Sequence, residues 1–267
     1  MKQQLKDLVK RFIHAQGYQV SKIQPDIFSD LKYRDVSNCL EVLHAIRHPD
    51  YQKYLDFFDF IKEHKALSVA QNYQDLFVLY HLDKPYGQEF VEFGAADGQI
   101  NSNTYLLETQ YKWTGLLAEP NIGYRERLPQ NRRCKIDHRA VFSTSNQELT
   151  FIQQQDLQLS GIEQTTDQPN AQGQTYKVKT VTLNDLLSEY GISPGFGFLS
   201  IDVEGAEQDV LRGFNLHHWR PKTVVIEHNF RSDDANSILP FFENEGYVQM
   251  YPALSKYDFW FALEESC

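Results

Sequence analysis

Phe90-Val91-Glu92-Phe93 is a short apolar run that breaks at Gly94, and Gly115-Leu116-Leu117-Ala118 is a second that breaks at Pro120. Runs of this length bounded by turn residues read as buried strands. Asn101-Ser102-Asn103-Thr104 lies between them and suits the start of a helix, because asparagine and serine cap well. A strand, a helix and a second strand in that order make the two strands parallel neighbours.

The alternation continues. Strands are expected near 89–94, 115–119, 134–142, 148–152, 176–181, 196–202, 222–228, 247–251 and 257–261. Helices are expected near 74–83, 102–111, 122–129, 182–190, 206–213 and 234–245. Such a chain forms an α/β fold, a doubly wound and mostly parallel sheet with helices on both faces. The last two strands are separated by Pro252-Ala253-Leu254-Ser255-Lys256. That is too short for a parallel crossover, so this pair is expected to be antiparallel.

Two segments stand apart. Residues 1–67 read as a helical extension, and 68–267 as the main domain. Leu5, Leu8, Val9, Phe12 and Ile13 share one helical face, with Lys2, Lys6, Lys10 and Arg11 on the other sides. Such a helix either packs on the main domain or touches a membrane surface or a partner. The polar stretch from Gln153 to Thr175 is too long for an ordinary connection and reads as a lid or as a disordered loop.

The 267 residues, 41% of them hydrophobic, are enough for a proper core. A net charge of −10 without a lysine-rich run argues against nucleic acid as a partner. Cys39, Cys134 and Cys267 are scattered and odd in number, which fits neither a disulfide framework nor a zinc site. No apolar run approaches the ~20 residues of a membrane span, and Met1–Asp7 lacks the apolar core of a signal peptide. A cytoplasmic location is expected, and a homo-oligomer is compatible with it.

The acids lie at strand ends. Gly94 and Gly98 give a turn that lets backbone approach a ligand. Asp97 sits in that turn as an exposed carboxylate suited to a cationic group. Glu119 ends the second strand, where ribose hydroxyls can satisfy its carboxylate. Asp202 ends the strand Phe198–Ile201, Glu204 follows it, and Glu207 suits a helix dipole. Glu227 and His228 end the next strand and are expected to face the same cleft. A histidine there can be a base, a hydrogen-bonder or a metal ligand.

Taken together these clusters resemble the FkbM family of S-adenosylmethionine-dependent methyltransferases. The matching pieces are Gln71–Phe77, Phe90–Gly98, Ser102-Asn103-Thr104, Trp113–Pro120, Leu183–Leu187, Ile201–Glu207 and Glu227-His228-Asn229. Ala95-Ala96 stands where other class I members carry a second glycine. The resemblance implies a seven-stranded class I sheet with a C-terminal antiparallel strand. It also implies S-adenosylmethionine as cofactor, with Glu92, Gly94, Asp97 and Asn103 around the methionine end. Glu119 would hold the ribose, and Pro120 and Asn121 would lie beside the adenine. Arg139 and Ala140 would close over the adenine, and Asp202 would face the reactive methyl.

The implied reaction is O-methylation of a sugar, glycan or secondary metabolite, with Asp202 or His228 as base and Glu204 orienting. By analogy with metal-dependent class I enzymes, Asp202, Glu227 and His228 could hold a divalent ion such as magnesium. A nicotinamide-dependent oxidoreductase shares the strand–glycine–helix–acid logic, but the chain lacks G-x-G-x-x-G after a strand. A cofactor-binding module without catalysis is the other alternative.

Overall fold

A computed structural model describes residues 25–83, 86–165, 173–228 and 232–264, and side chains except those of 25–31 and 232–235 within them. The expected amphipathic helix around Leu5–Ile13 and the residue Asn229 lie outside the described residues. The chain divides into two units between Tyr51 and Gln52. In the first, α1 (Pro25–Ala45) buries Val36, Leu40 and Leu43 along one face. Among the described residues no helix is long and apolar enough to cross a membrane.

Helix α2 (Tyr51–His64) falls within the expected extension 1–67, yet its aromatic face belongs to the second unit. Phe57 stacks on Tyr251 with ring centres 4.6 Å apart and meets Trp260 edge-on. Helix α3 (Gln74–His81) follows, and Phe77 stacks on the same Trp260. Buried polar side chains in this helix and just before it tie it to residues 254–258. Gln74 Nε2 donates to Asp258 Oδ2 at 2.7 Å, and Asn72 Nδ2 donates to the Leu254 carbonyl at 2.7 Å. Buried polar groups of this kind are costly unless paired, so the pairing selects one seating of α3.

The main sheet has seven strands. In chain order they are β1 (Glu89–Phe93), β2 (Thr114–Ala118), β3 (Lys135–Asp137), β8 (Phe198–Ile201), β9 (Thr223–Glu227), β10 (Tyr247–Gln249) and β11 (Asp258–Leu263). Their spatial order is β10-β11-β9-β8-β1-β2-β3. All pairs from β9 to β3 are parallel, whereas β11 runs antiparallel to both β9 and β10. The expected antiparallel end is therefore present. The central strands are buried on both faces, which is why they read as continuous apolar runs. Leu183, Leu186 and Leu187 of helix α6 (Leu183–Glu189) and Val210 and Leu211 of α7 (Glu207–Arg212) join that core. Each such side chain contributes about 1.5–3 kcal/mol.

Of the four remaining strands, two lie where strands near 148–152 and 176–181 were expected, but none joins the main sheet. The single strand expected over 134–142 breaks into β3 and β4 (Ala140–Val141). At the break the Asp137 carboxylate accepts from the Arg139 backbone N–H at 2.7 Å. β4, β5 (Glu148–Gln153), β6 (Gly161–Ile162) and β7 (Gln174–Val181) form a second, separate sheet in the order β4-β7-β5-β6. β5 pairs antiparallel with β7 from Glu148↔Lys179 to Gln153↔Gln174. β4 pairs parallel with β7 at Ala140↔Thr180 and Val141↔Val181, and β6 pairs antiparallel with β5. Within the stretch read as a lid or a disordered loop, a 3-10 turn (Leu157–Leu159) and β6 are ordered, while 166–172 lie outside the description. The helix expected over 122–129 is a 3-10 turn (Ile122–Tyr124) followed by the short α5 (Leu128–Asn131).

Candidate active site

The carboxyl ends of β1, β2, β8 and β9 meet along one edge of the sheet. Gly94 turns there with φ +69, and a Cβ on it would lie 1.7 Å from the Asp202 carbonyl oxygen. The expected reason for this glycine was approach to a ligand. The structure gives another: β8 passes too close for any side chain. Gly98, with φ +78, has Arg132 Cγ and Leu128 Cδ1 each 2.6 Å from where its Cβ would be. Ala96 occupies a left-handed conformation with φ 50, which costs an L-residue roughly 1–2 kcal/mol. Its N–H donates to Glu119 Oε2 at 2.8 Å, which holds the turn in place.

Two acids of this loop differ from expectation. Asp97 is buried rather than exposed. Its Oδ1 accepts from Gln99 N at 2.9 Å and Ile100 N at 2.8 Å, closing the loop on itself. Glu92 was expected to line the cofactor, but its carboxylate is taken up by the chain. Ser102 Oγ and Thr104 Oγ1 donate to Oε2 at 3.0 and 2.5 Å, and Asn103 N donates to Oε1 at 2.8 Å. Arg132 Nη1 lies 3.5 Å from Oε2. The Ser102–Thr104 triplet is thus held from below. Ser102 Oγ accepts from Thr104 N and Tyr105 N at the start of helix α4 (Tyr105–Tyr111), whereas Thr104, in the cap position itself, makes no side-chain cap. Asn103 Nδ2 donates to Ser200 Oγ at 2.9 Å, while its Oδ1 is buried without a partner. A buried acceptor left open costs about 1–3 kcal/mol, so a ligand donor fits there.

Glu119 sits after β2 and is 5% exposed. Oε1 accepts from Asn121 N at 2.7 Å and Oε2 from Ala96 N. Burial pushes its carboxyl up to about 7; the two backbone donors oppose that, and the charges of Asp202 and Glu92 add to it. Each oxygen keeps a second lone pair, so the group suits hydroxyl donors that would favour its ionised form.

The segment after Glu119 is walled by the second sheet. Tyr176 Oη donates to the Pro120 carbonyl at 3.4 Å and accepts from Ile122 N at 3.0 Å. Asn121 Nδ2 donates to the Leu157 carbonyl at 3.2 Å. Arg139 and Ala140 do not fit the role the resemblance implied. Arg139 is forked between Asp137 at 2.7 Å and Glu189 at 2.5 Å, and Ala140 is buried in the core of the second sheet. Burial pushes the Asp137 carboxyl up, but the Arg139 contacts outweigh it and hold Asp137 below its ordinary value.

The acids of β8 and β9 do converge. Asp202 follows β8, and Glu204 lies in a left-handed conformation with φ 53. Glu207 Oε1 shapes that turn by accepting from Val203 N at 3.1 Å and Gly205 N at 3.2 Å. Ligand atoms of Asp202, Glu204 and Glu227 all lie within 4.8 Å of one another. Asp202 Oδ1 is buried without a hydrogen-bond partner. His228 is not in this group. Its ring stacks on Phe259 with centres 4.1 Å apart. β9 ends at Glu227, and the His228 ring beyond it packs on Phe259 instead of joining the acids. Of the expected set Asp202, Glu227 and His228, the first two lie in this group, with Glu204 beside them in place of His228.

Arg132, Tyr176 and Ser200 went unnoticed in the sequence. Arg132 stands beside Arg133 after a four-residue helix, and nothing local marks one as buried and the other as exposed.

The family model described as Methyltransferase FkbM domain matches residues 92–248. No curated protein matches the chain. Among solved structures, the chain is similar to a methyltransferase FkbM from Methylobacillus flagellatus KT, with TM-score 0.48 and 14% identity. That match covers 85% of this chain and 58% of the other, so the chain spans little more than half its length. It is also similar to a TehB-like SAM-dependent methyltransferase from Corynebacterium glutamicum ATCC 13032 Kitasato, with TM-score 0.38 and 8% identity over 79% and 99% of the two chains. A precorrin-6y C5,15-methyltransferase from Geobacter metallireducens GS-15 gives TM-score 0.35 and 11% identity over 66% and 71%.

Proposed function

The chain belongs to the FkbM methyltransferase family, and on that premise we propose that it moves the methyl group of S-adenosylmethionine onto a hydroxyl oxygen of a sugar, glycan or secondary metabolite. One observation carries the oxygen assignment. Asp202, Glu204 and Glu227 hold carboxylates within 4.8 Å of one another, at the sheet edge where Gly94 turns and Glu119 is buried. A hydroxyl acceptor must lose a proton, and a cluster of carboxylates can receive it.

The bound cofactor supplies an electrophilic methyl group on sulfur. The protein's part is alignment and proton removal, and alignment alone supplies much of the acceleration. In this reading Glu119 takes the ribose hydroxyls through the lone pairs that Ala96 N and Asn121 N leave free. Asn103 Oδ1 takes a donor at the methionine end, and Pro120 and Asn121 border the adenine. Asp202, whose Oδ1 has no other partner, accepts the proton, and Glu204 orients the hydroxyl. His228 is the alternative base, but its ring would have to leave Phe259.

A second reading rests on the same trio. Three carboxylates suit a hard divalent cation such as magnesium, which would lower the pKa of an acceptor hydroxyl. Asp202, Glu204 and Glu227 would hold it.

The first test is calorimetric titration with S-adenosylmethionine and, for comparison, NAD. It is followed by a screen of hydroxyl-bearing sugars and glycans read by release of S-adenosylhomocysteine. Binding of S-adenosylmethionine alone, with a methyl ether as product, is the expected result. A product methylated on carbon or nitrogen sinks the oxygen assignment. Turnover unaffected by chelator removes the exchangeable metal, and cofactor binding without turnover on any acceptor favours a non-catalytic module.

A further inference from the structure

Arg132 is the buried charge that the reading above leaves without a task. Its side chain has 0% exposure, and its guanidinium lies over the Phe90 ring at 5.3 Å. Nη1 donates to the Gly98 carbonyl at 3.1 Å and to Ser102 Oγ at 3.2 Å. Nη2 donates to Thr104 Oγ1 at 2.8 Å, and Nε donates to Glu108 Oε2. Glu92 Oε2 completes the set at 3.5 Å. One planar fork therefore grips the loop at its turn, at Gly98, and again where it enters α4, at Ser102 and Thr104. The missing Cβ of Gly98 makes room for the arginine stem. Enclosing this charge is tolerated only because every side of it is paired.

The gripped loop carries Asn103, and Asp97 just before it is tied to it through Gln99 N and Ile100 N. Glu119, in contrast, follows β2, and its carboxylate accepts from Ala96 N and Asn121 N. We propose that Arg132 is a positioning residue for the amino-acid end of the cofactor: by clamping residues 98–104 it sets the affinity for that end and leaves the nucleoside end to Glu119. The proposal rests on the S-adenosylmethionine reading above. Lysine cannot replace the fork, because an ammonium is a point donor on a flexible stem.

The test compares two ligands on Arg132→Lys. S-adenosylhomocysteine carries the amino-acid portion, and 5′-methylthioadenosine lacks it. Calorimetry on the folded variant is expected to give a roughly tenfold loss for the first, about 1.4 kcal/mol, and a change within about twofold for the second. Thr104→Val, which removes one hydroxyl from the clamp at nearly constant volume, is expected to shift the ratio the same way by about threefold. Equal losses for both ligands mean that Arg132 only supports the fold, and that overturns the proposal. Unchanged affinity for both overturns it as well. A wild-type protein that binds neither ligand refutes the cofactor reading itself, which is a different result from an unshifted ratio.

Discussion

Nucleoside affinity should depend on pH through Glu119. Its carboxyl is raised from 4.5 to about 7, chiefly by burial. If ribose hydroxyls donate to the ionised form, the protein competent to bind is about a tenth of the total at pH 6 and about nine tenths at pH 8. The apparent affinity for 5′-methylthioadenosine should then rise roughly tenfold between those values, about 1.4 kcal/mol. Near pH 7 binding should release about half a proton, measurable by calorimetry in two buffers of different ionisation enthalpy. Glu119→Gln should remove the slope and weaken binding at pH 8 by about 1.5–3 kcal/mol, the worth of a hydrogen bond to a charged group. The ligand-free protein should show the opposite trend in stability. A carboxyl raised by folding contributes stability that is complete below its unfolded value and lost as pH rises through the folded one. Between pH 4.5 and about 7 this single group should cost about 3 kcal/mol. Flat affinity from pH 6 to 8, or proton uptake on binding, would refute the reasoning.

Other substitutions test other parts of the edge. Gly94→Ala should destabilise the fold by roughly 3 kcal/mol or more, because its Cβ would meet the Asp202 carbonyl at 1.7 Å; a urea midpoint like that of the wild type would contradict the close passage of β8. Ala96→Gly should raise stability by up to about 1 kcal/mol, since φ 50 suits glycine, and a lowered midpoint would speak against the left-handed turn. Tyr176→Phe should cost about 1 kcal/mol in the same assay, since its hydroxyl joins the second sheet to Pro120 and Ile122. Asp202→Asn should leave affinity for S-adenosylhomocysteine within about threefold and depress turnover at least a hundredfold; full turnover would move the base to another residue.

Much of the fold was legible in the chain because its signals are local. Apolar runs such as Val224–Ile226 are continuous since parallel strands are covered on both faces. The short link after Tyr251 forced an antiparallel end by length alone. The acids at strand ends were visible for a similar reason, as a carboxylate directly after an apolar strand is out of place unless something pairs it. Topology then brought Glu119, Asp202, Glu204 and Glu227 to one edge.

Direction and pairing were not legible, because they depend on residues far apart in the chain. Glu92 and Glu119 look alike as acids at the ends of neighbouring strands. Three side-chain and backbone donors of the 102–104 triplet, with Arg132 beside them, occupy the first. Two backbone N–H groups hold the second and leave lone pairs over. Arg139 was a reasonable cover for a ring until Glu189, fifty positions on, took one side of its fork. The stack of His228 on Phe259 separated it from Glu227, and the pairings of β7 with β4 and β5 turned the 140–181 segment into a second sheet. The sequence by itself determined which residues must be buried and which strand ends carry charge. Tertiary structure decided which of those charges already have partners, because a hydrogen bond is settled by where both of its ends are brought.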